Sequence, residues 1–184
     1  MEIVPTEIRD VVEVRPKRFG DHRGWFSEVY KRHALAEAGI EIDFLQDNES
    51  LSATPGTLRG LHYQLAPAAQ DKLVRVLRGS ILDVAVDIRR DSPTFRQHVS
   101  RTLTADEGNQ LLVPAGFAHG FLTLEPDVHV AYKVSAPYAP DTERAIRWDD
   151  PTLAIDWPDV DGASPTLSDK DAVAPLLADQ PDLF

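Results

Sequence analysis

A two-residue alternation of apolar and polar side chains runs through residues 82–88. Leu82, Val84, Val86 and Ile88 recur at every second position, so they share one face of a predicted β-strand. A second segment, 128–134, shows the same period and places its tyrosine on an apolar face. A chain built from such segments folds by pairing strands, because each strand must bury its apolar face against another layer.

The strand-like runs are short and regularly interrupted. Fourteen prolines and ten glycines separate them, which is typical of an all-β sandwich or barrel. The pattern predicts one clear helix over 31–38, ended by Gly39, and an irregular or short helical segment from Pro158 onward. At 184 residues the chain is expected to form one domain, 1–184.

Composition narrows the classes of partner. The formal net charge of −11 argues against a nucleic-acid-binding surface, although a local basic pocket can still bind a phosphate ligand. No apolar run approaches the ~18 residues of a membrane span, and the acidic N-terminus does not resemble a secretion signal. With no cysteine, disulfides and thiolate sites are excluded. We expect a soluble cytoplasmic protein without nucleic-acid or membrane partners.

Two histidine motifs carry the chemistry. The first contains His62, Gln64 and Lys72, and the second centres on His119. Their spacing from flanking glycines resembles the paired motif of the cupins, which are small barrels of the double-sheet jelly-roll type. Metal-binding cupins supply three histidines and a glutamate, but here Gln64 and Lys72 occupy two of those positions. Because an ammonium group repels a metal dication, we expect no metal at this site.

Without a metal, the same stretch is suited to proton transfer. His62 has the side chain best able to remove a proton near neutral pH. Lys72 is able to stabilise the negative oxygen that forms when a carbon acid loses its proton. The pair therefore indicates chemistry through an enolate.

More closely, the chain resembles the dTDP-4-dehydrorhamnose 3,5-epimerases within the cupins. The resemblance runs through nearly the whole chain in eight ordered blocks, including the sequence Leu-Arg-Gly-Leu-His-Tyr-Gln at 58–64. The blocks are residues 21–28, 46–50, 58–64, 72–76, 83–89, 114–121, 131–133 and 167–171. The resemblance implies an all-β, double-sheet jelly-roll barrel with a few short helices.

The resemblance also implies a reaction, the epimerisation of dTDP-4-dehydro-6-deoxy-D-glucose at C3 and C5 to dTDP-4-dehydro-L-rhamnose, without a metal or another cofactor. It makes His62 the general base, Asp169 the carboxylate that orients it, and Tyr132 the acid on the opposite face of the sugar. Lys72 would lie beside the C4 ketone. Loss of a proton from C3 or C5 places charge on O4, where an ammonium can stabilise it.

A wider set of residues is implied in binding the nucleotide, the diphosphate or the sugar. These substrate-binding positions are Arg23, Phe26, Glu28, Gln46, Asp47, Asn48, Arg59, Lys72, His119, Tyr138, Glu143 and Lys170. We expect Asp83 to orient Lys72 or Arg59 if its strand face lines the pocket, and Trp25 to lie in the core. Members of the family are homodimers whose N-terminal strands join the partner's sheet, and the same is expected here.

One local geometry needs a special backbone. Strict alternation would place Arg59 and His62 on opposite faces of their strand, although both are expected at one ligand. We therefore predict a bulge or kink at Gly60. A second departure is Asp71, which stands where the family usually has glycine and adds a charge next to Lys72.

Three alternatives remain open at this point. A single-position 3- or 5-epimerase of another deoxysugar pathway would share most of these residues. A metal-dependent cupin enzyme and a non-catalytic sugar-binding cupin are the other two.

Overall fold

Thirteen strands and three short helical segments form the structure, and the computed structural model describes residues 1–184. The helical segments are α1 (Arg32–Glu37), α2 (Asp169–Ala172) and a 3-10 turn at Leu177–Asp179. The strands are β1 (Glu2–Pro5), β2 (Val12–Arg15), β3 (Arg18–Asp21), β4 (Gly24–Ser27), β5 (Gln46–Ser52), β6 (Leu58–Gln64), β7 (Lys72–Arg78), β8 (Ser80–Asp87), β9 (His98–Thr104), β10 (Gln110–Val113), β11 (Phe117–Thr123), β12 (Val128–Val134) and β13 (Glu143–Ala145). The helix predicted over 31–38 and the short helix after Pro158 are confirmed.

Eleven strands make two sheets that share one apolar core. The first sheet has the order β1–β2–β10–β7–β12–β5 and the second the order β13–β6–β11–β8–β9. All pairings are antiparallel. Val74 and Val130 of the first sheet pack with Ala85, Val99 and Phe117 of the second in the largest buried cluster. The prediction of an all-β double-sheet barrel is confirmed.

The two faces of strand β8 pack against different parts of the chain. Val84, Val86 and Ile88 pack outward under the C-terminal segment, together with Leu153 and Leu177. The alternating apolar set therefore faces the chain's own C-terminal part. The other face of β8, which carries Asp83, turns toward the space between the sheets.

The outer face of the six-stranded sheet is covered by the first helix. Leu35 of α1 is buried against Val14, Leu73 and Leu112. Gly39 follows α1 in a left-handed conformation with φ of +82°, which ends the helix at low cost. No helix in the structure combines the length and the apolar character needed to cross a membrane.

The β3–β4 hairpin pairs with neither main sheet. It is attached through Arg18, whose guanidinium donates to the carbonyl of Ala105 and lies 4.1 Å from the centre of the Trp25 ring. Trp25 itself is 59% exposed, so the expectation that it belongs to the core is wrong. The reason is that the hairpin stands outside the two-sheet core.

Candidate active site

A cavity of about 370 Å³ opens between the two sheets. His62 reaches it from β6 of the five-stranded sheet, whereas Lys72 on β7 and Tyr132 on β12 reach it from the six-stranded sheet. Arg59 and His119 also line it. An adjoining space of about 460 Å³ shares the imidazole, the ammonium and the phenol as lining groups. The imidazole and the phenol thus approach one cavity from opposite sheets.

The imidazole of His62 is held by Asp171. Its Nε2 lies 2.5 Å from Oδ1 of Asp171, whose side chain is almost fully buried. An ionised carboxylate only accepts hydrogen bonds, so Nε2 carries the proton and Nδ1 is the nitrogen able to accept another. Burial raises the pKa of Asp171, but its interactions with His62 and Ser168 outweigh burial and keep that pKa below its usual value. The carboxylate is therefore ionised at neutral pH.

The prediction that Asp169 orients His62 is wrong. Asp169 opens α2 as an exposed residue, and two positions along a helical turn point in different directions. Ser168 caps α2 by accepting the N–H of Asp171 at 3.1 Å, which fixes the turn with the later aspartate facing β6. The Asp-Lys-Asp sequence offered two carboxylates, and only the direction of this single turn distinguishes them.

The bulge predicted at Gly60 is confirmed. His119 pairs with His62, and Phe121 pairs with Arg59, so β6 has one more residue than β11 over this step. Gly60 has φ of +140°, and a Cβ there would lie 2.5 Å from the Cα of Gly120. The extra residue brings both Arg59 and His62 to the cavity.

Lys72 is buried, and its ammonium group remains mostly charged at neutral pH although burial favours the uncharged amine. Its Nζ donates one hydrogen bond, to the carbonyl of His62 at 3.3 Å, which leaves two N–H groups for a ligand. Burial lowers the pKa of Lys72 to about 8, while the negative charges of Asp83 and Glu143 act in the opposite direction. At neutral pH the group is mostly an ammonium.

Tyr132 is half-buried and packs against the inter-sheet core. Burial raises the pKa of its phenol, with nearby Arg59 and Asn48 partly opposing that effect. The phenol is therefore protonated at neutral pH, as expected from the sequence, and has a proton to give.

His119 is held by a second buried carboxylate. Its Nε2 lies 2.7 Å from Oδ1 of Asp83, which is completely buried. The strand face of Asp83 does turn toward the space between the sheets, but Asp83 does not line the cavity and its hydrogen bond goes to His119. The expectation that Asp83 orients Lys72 or Arg59 is corrected accordingly, because β11 lies beside β8 in the sheet whereas β7 belongs to the other sheet.

Charged and aromatic groups line the mouth of the cavity. Arg59 donates to the hydroxyl of Ser52 and to the carbonyl of Leu51, each at 3.2 Å. Glu143 accepts a hydrogen bond from the Tyr138 hydroxyl at 2.8 Å and another from Lys170. Burial raises the pKa of Glu143, but these two donors outweigh it and lower the pKa overall.

Three predicted binding residues follow one another on β5. Gln46, Asp47 and Asn48 line the adjoining space, with Asn48 directly opposite Tyr132 in the strand pairing. The amide of Gln46 donates to Asn48 at 2.6 Å, and Asp47 accepts from Lys133 at 2.8 Å. These residues extend the polar wall away from His62.

Arg23, Phe26 and Glu28 line neither space. Arg23 pairs with Asp21 at 2.6 Å on the β3–β4 hairpin, and Phe26 is 66% exposed. Glu28 lies beyond the hairpin, 3.7 Å from Lys31. Within one copy of the chain these predicted binding residues are therefore separate from the cavity.

The two unusual positions near Lys72 have structural partners. The amide of Gln64 donates to the carbonyls of Ala68 and Pro137. The carboxylate of Asp71 accepts hydrogen bonds from the N–H of Ala115 and from the hydroxyl of Ser135. These two bonds satisfy its charge outside the cavity lining. No three His, Asp or Glu side chains converge in a way that would hold a metal ion.

Comparison with known proteins gives a consistent result. The model of the family described as dTDP-4-dehydrorhamnose 3,5-epimerase matches residues 5–179. A relative of that name from Sinorhizobium fredii is 49% identical over 177 residues, which cover 96% of this chain and 90% of the relative.

Solved structures of family members resemble this chain in backbone as well as in sequence. A dTDP-4-dehydrorhamnose 3,5-epimerase from Bacillus anthracis, with TDP and PPi bound, is 49% identical with a TM-score of 0.91, covering 95% of this chain and 98% of that one. The dTDP-6-deoxy-D-glucose-3,5-epimerase from Legionella pneumophila, in complex with dTDP-4-keto-L-rhamnose, is 46% identical with a TM-score of 0.91, covering 96% and 93%. The chain belongs to the dTDP-4-dehydrorhamnose 3,5-epimerase family, whose members are isomerases with this cupin-like fold.

Proposed function

We propose that the protein converts dTDP-4-dehydro-6-deoxy-D-glucose to dTDP-4-dehydro-L-rhamnose by inverting C3 and C5 of the sugar. One observation carries the assignment of roles. A carboxylate-bound imidazole, His62, and a protonated phenol, Tyr132, reach one cavity from opposite sheets with Lys72 beside them. That arrangement provides a base on one side of a sugar ring and an acid on the other.

The reaction begins with a proton next to a ketone. Nδ1 of His62 takes the proton from C3 or C5, the C–H bond pair becomes the enolate, and the negative charge collects on O4. Asp171 stabilises the imidazolium that forms, as a carboxylate does for a catalytic histidine. Because burial keeps water away, this ion pair is stronger than it would be at the surface.

Lys72 acts on the enolate oxygen. Its single hydrogen bond to the His62 carbonyl fixes the ammonium next to the base and leaves two N–H groups for O4. A charge-assisted hydrogen bond strengthens as the oxygen becomes negative, so it stabilises the transition state more than the ketone. The burial of Lys72 increases this effect.

Tyr132 completes the inversion. Its phenol gives a proton to the carbon from the face opposite His62, the enolate collapses to the ketone, and the configuration is reversed. The same pair then acts on the second carbon after the protons have been restored. Two inversions and no net oxidation require no cofactor, and none is proposed.

The substrate's remaining groups have partners at the cavity mouth. Arg59 is suited to diphosphate oxygens, because a guanidinium group donates to such anions, and His119 lines the same cavity for contact with a substrate oxygen. Tyr138, Glu143 and Lys170 form a connected group at the adjoining space, where the nucleotide would lie. Gln46, Asp47 and Asn48 are placed for polar contacts along the same wall.

We further propose a homodimer in which the β3–β4 hairpin of one copy completes the cavity of the other. Arg23 and Phe26 are exposed on this hairpin and away from their own cavity. Arg23 and Phe26 can add a phosphate contact and a stacking surface to those that Arg59 and Tyr138 supply within one copy. A cytoplasmic location, and the absence of nucleic-acid and membrane partners, stay predictions.

Incubation with the dTDP-ketosugar in heavy water tests the function. Proton NMR should show deuterium entering at both C3 and C5, with the rhamno product formed in proportion. Exchange at only one of the two carbons would instead support the single-position epimerase. A stoichiometric metal bound through His62 and His119 in the purified protein would contradict the mechanism altogether.

A further inference from the structure

A second histidine–aspartate pair lies beside the first, with His119 lining the active-site cavity and Asp83 fully buried behind it. His119 on β11 stands directly opposite His62 on β6, and each imidazole is bound through Nε2 to a buried carboxylate. The mechanism above uses only the His62–Asp171 pair. The position of Asp83, which holds His119, therefore needs its own explanation.

Burying Asp83 so completely is costly unless its charge serves a partner. The side chain is 0% exposed, and its Oδ2 has no hydrogen-bond partner in the chain. An unpaired buried carboxylate oxygen destabilises a fold by its lost hydration. A leucine or valine at this position would suit the core on either side, where Ile81 and Ala85 share the same strand face. The buried, partly unpaired carboxylate has a folding cost, which indicates a role in the site.

We propose that Asp83 is a positioning residue for the oxyanion side of the site, where it fixes His119 with its proton on Nε2 and keeps Lys72 as an ammonium. This role rests on the proposed function, in which Lys72 stabilises the enolate oxygen. It extends that function by assigning what sets the charge of the lysine.

The hydrogen bond determines the state of His119. With Nε2–H donating to Oδ1 at 2.7 Å, Nδ1 is left without a partner in the chain. Nδ1 of His119 is then the atom available to a substrate oxygen, as an acceptor when the ring is neutral and as a donor when it is charged. If the imidazole of His119 were flipped, Nε2 would face the substrate in place of Nδ1.

Lys72 lines the same cavity as His119, the imidazole that Asp83 holds, and reaches it from the opposite sheet. Burial pulls the pKa of Lys72 down to about 8, and the attraction of Asp83 is the larger of two opposing effects, the other being Glu143. The other titratable side chains around Lys72 are Arg59, His62, His119, Tyr132 and Asp171 in the cavity, and Asp47, Glu49, Tyr63, Tyr138 and Glu143 in the adjoining space. Asp171 is bound to His62, Asp47 to Lys133 and Glu143 to Lys170, whereas Oδ2 of Asp83 has no hydrogen-bond partner. Without Asp83 the lysine would lose its proton at a lower pH.

Asp83→Asn separates charge from shape, because asparagine keeps an acceptor for Nε2–H of His119 while removing the negative charge. Lys72 is one of only five lysines, so its Cε signal in protein labelled with 13C-lysine is assignable with Lys72→Arg. In substrate-free protein the titration of Lys72 should move to lower pH by about one unit in Asp83→Asn. The high-pH limb of kcat should move by the same amount, and it should vanish in Lys72→Arg.

Asp87→Asn is the matched control. Asp87 is a completely buried aspartate on the same face of β8, but it is bound to Arg89, Ser92 and Thr94 instead of the cavity. Its substitution should reduce stability and leave the titration of Lys72 and the pH limb unmoved. A merely structural role for Asp83 predicts the same result for both variants.

The outcomes distinguish this proposal from the function itself. An unmoved Lys72 titration in folded Asp83→Asn would overturn it, whether or not the protein epimerises the ketosugar. If Asp83→Asn does not fold, 15N NMR of the six histidines in the natural protein decides, since His119 must be protonated on Nε2 throughout the neutral range. A proton on Nδ1 instead would refute the proposal.

Discussion

His62 and Asp171 are 109 residues apart in the chain and are joined by a hydrogen bond of 2.5 Å. The bond fixes the imidazole with Nε2 protonated and stabilises the charged ring. Asp171→Asn should therefore reduce kcat by at least about a hundredfold, because an asparagine amide can bind the wrong tautomer and provides no charge. Steady-state epimerisation at pH 7 measures this loss.

Asp169→Asn provides the control for the neighbouring carboxylate. It makes the same chemical change two residues earlier, at an exposed position of α2, whereas the carboxylate bound to His62 is that of Asp171. We expect kcat within about twofold of the natural protein, since surface substitutions usually have small effects. A larger loss in Asp169→Asn than in Asp171→Asn would contradict the assignment of the pair.

This pair also shows what the sequence was able to predict. The strand periods, the turn residues and the bulge at Gly60 follow from local rules, because each depends on a few adjacent residues. The choice between Asp169 and Asp171 depends on how α2 docks on β6, and the partner of Asp83 depends on which strands lie side by side. Those contacts are set by the packing of distant segments, which one sequence does not reveal.

Separate base and acid roles predict different losses of proton exchange. His62→Asn should abolish deuterium entry from heavy water at both carbons, because it removes the base that takes the proton from C3 and C5. Tyr132→Phe should block inversion but leave exchange at a carbon that His62 reaches, since the base can return a deuteron to the same face. Equal and complete loss of exchange in both variants, followed by NMR, would show that the two groups do not act on opposite faces.

Gly60 is expected to be the most sensitive glycine of the site. A methyl group there would meet the Cα of Gly120 at 2.5 Å, and φ of +140° is unfavourable for alanine. Gly60→Ala should lower the free energy of unfolding by about 3 kcal/mol or more, the sum of backbone strain and overpacking. Urea unfolding followed by circular dichroism gives the value.

Gly24→Ala isolates the backbone contribution. Gly24 has a similar φ of +132°, but nothing lies within 4 Å of an added Cβ. Gly24→Ala should therefore lower the free energy of unfolding by about 1–2 kcal/mol, from backbone strain alone. If both variants lose the same free energy, the close approach of β6 to β11 is not what requires glycine at position 60.

If the hairpin of one copy completes the cavity of the other, two variants that are inactive alone should recover activity when they form mixed dimers. Arg23→Ala removes the hairpin's cation, and His62→Asn removes the base, so each homodimer should be weakly active or inactive. In a mixed dimer, one cavity receives an intact His62 from the first variant and an intact hairpin from the second. Random pairing after co-expression should therefore recover about a quarter of the natural activity per chain, because half of the dimers are mixed and each has one complete site.

If the hairpin instead serves the cavity of its own chain, no activity should be recovered, since every cavity would then lack either the arginine or the histidine. Sedimentation of the mixture and of each variant alone confirms that the comparison is made between dimers.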